Sequence, residues 1–425
     1  MQVIKYPDKK DWKNILQRPY ADNTVLEVVQ TILKEVKSKG DEALKAFAKK
    51  FDGVDLETFA VSKNEIAKAT NEISDELKAS IQQAKKNIET FHERQIYKVE
   101  VIETMPGIKC WRKSVGIEKV GLYIPGGTAP LFSTVLMLAI PAFLAGCREI
   151  ILCTPCNENG NIHPAILYTA NLTGITKIFK VGGAQAIAAM AFGTETIPAV
   201  YKIFGPGNQY VTAAKQAVQM EGIAIDMPAG PSEVCVLADE TSNAKFIAAD
   251  LLSQAEHGPD SQVLLVSTEL SVVNAVQEEI EKQLQVLSRK EIVTQALSNS
   301  KAIIVESIDE AIDLVNEYAA EHLIIGCASA EAIAEKVINA GSVFIGNYSP
   351  ESVGDYASGT NHTLPTNGFA RAYSGVSVDS FVKKITYQKL SEEGLKNISE
   401  TVIKMAEAEG LDAHANAVKV RLNAE

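Results

Sequence analysis

Glu321 and His322 stand side by side in AAEHLIIG (residues 319–326), where a run of small residues meets an apolar, strand-like one. Imidazole, with an ordinary pKa of ~6.5, passes protons near neutrality, and an adjacent carboxylate can tune it or act as a second base. The same pair could equally be a solvated corner ahead of a buried strand. In LLSQAEHGPDSQ (251–262), Gln254 and His257 are spaced i, i+3 on the last turn of an expected helix, so their side chains share a face. Gly258 and Pro259 end that helix. Two neutral ligands on one face could begin a metal site, which needs two or three more donors from elsewhere. Taken alone, the spacing is better explained by a C-terminal histidine favoured by the helix dipole. GDYASGTNHTLPT (354–366) gathers Asp355, Asn361 and His362 among glycines and hydroxyl residues, which suits either a ligand-binding loop or a plain surface turn. Glu409 and His414 lie five apart in a polar helical tail, the pattern of a solvated face. His92 and His163 have no polar company and read as surface residues. Cys153 and Cys156 form a CxxC with no second pair or suitably spaced histidine, so it reads as incidental.

These residues need elements to hold them. From about 24 to 95 the pattern is helical and charged, with Ser62 and Glu65 in capping-box spacing. From 116 onward, short apolar runs alternate with helix-period runs. VGLYIPGG, REIILCTP, TKIFKVGG and AVYKIFGPGN read as strands, with helices around 130–147, 163–174, 184–192 and 209–220. SEVCVLAD, SQVLLVST, KAIIVES, EHLIIGC and GSVFIGNYS repeat the pattern, with helices near 242–256, 271–287, 308–318 and 329–339. Near-continuous apolar strands alternating with helices imply βαβ units and parallel sheets buried on both faces. The fold class is therefore α/β with two units, dividing near residues 226–234. The stretch after about 375 reads as helical and polar, a tail that packs against something else.

A net charge of −12 argues against a nucleic-acid or anionic-membrane partner. The apolar run 131–147 carries Ser133, Thr134 and Pro141, and reads as a buried helix rather than a membrane span. No basic-then-apolar leader opens the sequence, and six scattered cysteines suit a reducing compartment, so a cytoplasmic location is expected. The turns YIPGGTAP, VGGAQA and FGPGNQ offer backbone N–H groups ahead of helices, as phosphate binding requires, yet none carries GxGxxG. Tight strand-to-helix packing explains the same glycines.

Eight blocks in order carry a resemblance to a known family: GLYIPGGTAPLFSTVLMLAIPA, VGGAQAIAAMAFGTE, KIFGPGNQYVTAAK, IDMPAGPSEV, DLLSQAEHGPDSQV, EHLII, GDYASGTNHTLPT and GLDAHANAV. From about residue 115 to the C-terminus the chain resembles histidinol dehydrogenase. The resemblance implies two successive NAD-dependent oxidations, of L-histidinol to L-histidine through an enzyme-held aldehyde, with one zinc per subunit. Carried over, the zinc ligands are Gln254, His257, Asp355 and His414. Glu321 and His322 become the catalytic pair. Ser232, Glu409 and His362 match substrate-contacting positions, as do His322 and the ligands; Tyr123, Gln185 and Asn208 match NAD contacts. The family's two incomplete Rossmann-like units imply an N-terminal segment (1–20), a first unit from 21–122 with 233–374, and a second, NAD-side unit at 123–232. A helical tail (375–425) is exchanged in a homodimer, so that Glu409 and His414 serve the partner's site. Because neighbours in a regular strand point to opposite faces, Glu321 and His322 are both expected in the turn ahead of their strand.

Overall fold

The computed structural model describes residues 1–19, 24–126 and 129–423, so Gly127 and Thr128 of the YIPGGTAP turn lie outside the described residues. In chain order the strands are β1 (Gln2–Lys5), β2 (Val101–Met105), β3 (Ile108–Gly116), β4 (Lys119–Tyr123), β5 (Glu149–Thr154), β6 (Lys177–Lys180) and β7 (Lys202–Phe204). There follow β8 (Ala224–Ile225), β9 (Glu233–Ala238), β10 (Gln262–Ser267), β11 (Lys301–Ile304), β12 (His322–Ile325), β13 (Ser342–Ile345) and β14 (Val382–Leu390). The apolar runs read from the sequence become two parallel sheets. One has five strands in the order β6-β5-β4-β7-β8, the other six in the order β1-β11-β10-β9-β12-β13. The central strands of the six-stranded sheet, β9 and β10, are buried throughout, as helices on both faces require.

The helix Phe132–Leu144 is buried along most of its length and packs on the five-stranded sheet, so the greasiest run is core. Among the described residues, no helix is long and apolar enough to cross a membrane. All six cysteines are free, and Cys153 is sealed in the core, where burial pushes its thiol far above the ordinary value.

The structure corrects three readings. First, the stretch after 375 contains β14, which pairs antiparallel with β3 along nine residues; β2 completes this three-stranded sheet. VKKITYQKL is mostly exposed, so its strand is held by ladder hydrogen bonds and cross-strand pairs such as Trp111 stacked on Tyr387, not by an apolar run. Second, the N-terminal segment, which carries no strand signal in the sequence, opens with β1, an edge strand beside β11. Third, the expected first unit joins 21–122 to 233–374, yet the helix Thr24–Lys39 shares a core, through Val29, Ile32 and Val36, with Phe179, Val181 and Ala188 of the five-stranded unit.

Candidate active site

The two parallel sheets approach one another across a cleft of about 1810 Å³. One wall is the carboxyl edge of the five-stranded sheet: Tyr123 ends β4, Gly183 and Gln185 follow β6, and Gly205 to Asn208 follow β7. The opposite wall is the amino edge of the six-stranded sheet, where Ser232 precedes β9 and Glu321 precedes β12. His257 and His362 also line it. The first wall obeys the rule that ligands gather at strand carboxyl ends; the second departs from it.

On the first wall, side chains lock the backbone of the turns. The Tyr123 hydroxyl accepts the Gly183 N–H at 3.0 Å, and burial pushes the phenol up to about 12. Gln185 is buried in the first turn of the helix Gly183–Phe192. Asn208 caps the helix Gln209–Met220, its side-chain oxygen accepting from the N–H groups of Tyr210 and Val211. Gly205 adopts φ +134°, and a Cβ there would lie 2.1 Å from the Tyr123 carbonyl oxygen. A buried ion pair, Lys215 with Asp226, clamps this glycine from both sides. Lys215 Nζ donates to its carbonyl and Asp226 accepts its N–H, each at 2.8 Å. The clamp escaped the sequence reading because a lysine inside a helix carries no signal of burial.

On the second wall, the acid/base candidates do converge. The helix Ile308–Tyr318 ends at Ala319 in a left-handed conformation, and two further residues bring the chain to β12. Glu321 lies in that turn as expected, but His322 is already the first residue of β12, paired with Val234 and Ser342. The two side chains nevertheless meet, His322 Nδ1 lying 3.6 Å from Glu321 Oε2, because Glu321 precedes the regular alternation of the strand. The backbone of Glu233 serves both. Its N–H donates to Glu321 Oε2 at 2.9 Å, and its carbonyl accepts from His322 Nδ1 at 3.2 Å. With Nδ1 donating, Nε2 is the nitrogen that carries the lone pair.

His322 Nε2 and Asp355 Oδ1 lie 3.3 Å apart, both buried and without an aligned hydrogen bond. Such orphaned polar atoms at the back of a cleft mark a place where a ligand or cation belongs. Gln254 is buried beside them. Its amide is best satisfied with the nitrogen donating to Glu351 Oε1 at 3.0 Å and the oxygen accepting the Glu233 N–H at 3.1 Å. Burial pushes the Glu321 and Glu351 carboxyls up to about 8. For His322 burial works downward, but the carboxylates of Glu321, Asp355 and Glu351 outweigh it and raise the imidazole to about 10. Burial works to raise Asp355, yet His322 and the nearby imidazoles of His362 and His257 hold it below the usual carboxylate range. His257 opens onto the cleft, whose walls lower its proton affinity, with Asp355 pulling the other way.

His362 also lines the cleft, and both its ring nitrogens have partners: Nδ1 with the Asp355 carbonyl at 2.7 Å and Nε2 with Thr134 Oγ1 at 3.1 Å. Burial keeps it neutral by lowering its proton affinity. Gln254, His322 and Asp355 sit just behind the lining. Glu409 and His414 are not brought to this cleft; they are exposed on the C-terminal helical hairpin. Among the described residues, no three His, Cys, Asp or Glu side chains stand in metal-ligand geometry. His92 corrects its surface reading: it is fully buried, with Nδ1 on the Ile88 carbonyl at 2.9 Å and Asn361 beside Nε2.

A glycine-turned cleft between two parallel sheets, with a buried imidazole–carboxylate pair on one wall, is the kind of site an α/β enzyme carries. The family profile of histidinol dehydrogenase matches residues 16–422. The chain is 59% identical over 424 residues to the histidinol dehydrogenase of Bacteroides thetaiotaomicron, covering 100% of this chain and 99% of that one. It is 53% identical over 397 residues to that of Xylella fastidiosa strain Temecula1, covering 93% and 92%. The solved structure of histidinol dehydrogenase from Elizabethkingia anophelis superposes with a TM-score of 0.97 at 56% identity, covering 100% of this chain and 98% of that one. The chain belongs to the histidinol dehydrogenase family. It is an oxidoreductase of histidine biosynthesis, acting on histidinol in the final step.

Proposed function

We propose that the cleft carries out two successive NAD-dependent oxidations, of L-histidinol to L-histidinal and of L-histidinal to L-histidine, without releasing the aldehyde. The observation that carries this reading is the convergence of Glu321 and His322 behind one wall, opposite glycine-rich turns shaped for a dinucleotide. Tyr123, Gln185 and Asn208 would hold NAD, which would supply the hydride acceptor. Gln254, His257 and Asp355, with His414 from the tail of a second copy, would hold a zinc ion, which would orient the substrate and offset part of the carboxylate charge around His322. The orphaned Asp355 Oδ1 and the oxygen/nitrogen donor set fit such an ion.

His322 Nε2 takes the hydroxyl proton as the first hydride leaves, since an alkoxide expels hydride far more readily than an alcohol. Its Nδ1–H stays on the Glu233 carbonyl, which keeps Nε2 the accepting atom through both steps. Glu321 in its ionised form takes a proton from water, whose oxygen adds to the aldehyde carbon while the carbonyl oxygen takes the proton held on His322 Nε2, so that the hydrate forms and the imidazole is free again. His322 then accepts the hydrate's proton as the second hydride leaves. Ser232, His362 and the tail's Glu409 complete the substrate contacts, His362 through its ring because its nitrogens are occupied.

The C-terminal tail belongs, on this reading, to a homodimer with exchanged tails, which accounts for the exposed Glu409 and His414. Assay of reduced nicotinamide formed from limiting histidinol tests the proposal. About two NADH per histidinol, abolished by chelation and restored by zinc, is the expected result; one NADH with free histidinal would contradict it.

A further inference from the structure

We propose that Arg18 is a positioning residue for the acid/base pair, acting through Glu233. The proposal rests on the assignment of Glu321 and His322 above. Arg18 lies near the end of the N-terminal segment, far in sequence from every other site residue. Its guanidinium grips the Glu233 carboxylate with two nitrogens, Nε on Oε1 and Nη2 on Oε2, the latter at 2.9 Å. Both partners are withdrawn from solvent, with side chains 14% and 2% exposed. The same guanidinium stacks 4.1 Å from the centre of the Tyr318 ring, and Nη2 donates to the Tyr318 carbonyl at 2.7 Å. Tyr318 ends the helix from which the chain turns, through Ala319 and Ala320, into Glu321. Arg18 thus holds two points at once: the side chain of the first residue of β9 and the backbone carbonyl of the residue three before Glu321.

Those two points fix the pair. The Glu233 N–H orients the Glu321 carboxylate, and the Glu233 carbonyl selects the His322 tautomer. Glu233 is tied further by the Asn367 N–H on Oε1 at 2.7 Å, from the loop lining the cleft. A planar guanidinium fork holds a carboxylate in one orientation where a point charge does not. Without it, a buried carboxylate is left uncompensated and must move or draw in water. The start of β9 moves with it, and small displacements of catalytic groups cost rate steeply. An arginine that only fastened the N-terminal segment would change stability and leave turnover of the folded enzyme unaltered.

The test uses the full chain with Arg18→Ala and Arg18→Lys, beside His322→Asn, at saturating histidinol and NAD. Arg18→Ala is expected to lose roughly 10- to 100-fold in kcat, while the KM for histidinol stays within about twofold. Millimolar guanidinium should restore part of the loss. Arg18→Lys, which keeps the charge and so protects folding, should still lose several-fold in kcat because it loses the fork. Wild-type kcat in folded Arg18→Lys, or a loss confined to KM in either variant, would overturn the proposal. Should His322→Asn turn over normally, the acid/base assignment itself fails; an inactive His322→Asn beside fully active Arg18 variants sinks only the role of Arg18.

Discussion

Glu321 sits where burial raises its carboxyl to about 8, whereas the task proposed for it in the second oxidation requires the ionised form. The sign is therefore fixed: water activation strengthens as pH rises through that value, well above the ordinary carboxylate range. Starting from histidinal, the rate is expected to climb with pH on an ascending limb near 8, followed by stopped-flow reduction of NAD. Glu321→Gln should remove that limb and slow the second oxidation by roughly 10²–10⁴-fold, while the first, which needs only His322, falls much less. Equal loss of both half-reactions would place Glu321 in substrate binding instead. At this scale the residue types were legible, but their arrangement was not. Nothing in the letters of GPSEV announces that Glu233 serves the site through its backbone, and the burial of His92 or Lys215 depends on neighbours distant in sequence.

The turns between strands and helices decide whether the first wall keeps its shape. Gly205 is the clearest case, with a left-handed-side φ and no room for a Cβ against the Tyr123 carbonyl. Gly205→Ala is expected to separate β4 from β7 locally and to raise the KM for NAD by about tenfold or more, with the KM for histidinol less affected. Competition binding of NADH checks this without turnover, and unchanged affinity would remove the turn from the cofactor site. The strands β4 to β7 and β9 to β13 were readable because each is a short apolar run, and all but the half-exposed edge strand β13 place buried residues in the core. The ribbon of β2, β3 and β14 was not, because exposed strands stabilised by cross-strand pairing look polar, and their partners lie far apart in the chain. His322 illustrates the same limit at a boundary. One residue decides whether a side chain belongs to turn or strand, and the register with Val234 settles it.

Across the whole molecule, the two sheets face each other with opposite edges, so that the wall proposed to hold the dinucleotide and the wall carrying Glu321 and its neighbour His322 share one cleft. The C-terminal hairpin carries Glu409 and His414 outside that cleft. On the proposed assignment a second copy must supply them. A chain ending at residue 407 is accordingly expected to bind zinc weakly and to lose turnover, read by metal content after dialysis and by steady-state rate; full activity would exclude the tail from the site. The measurement that reaches the central claim most directly is zinc content and both half-reaction rates in His322→Asn. The account predicts about one zinc per subunit with both oxidations lost, by roughly 10²–10⁴-fold. Loss of the metal, or either oxidation proceeding at the wild-type rate, would contradict it.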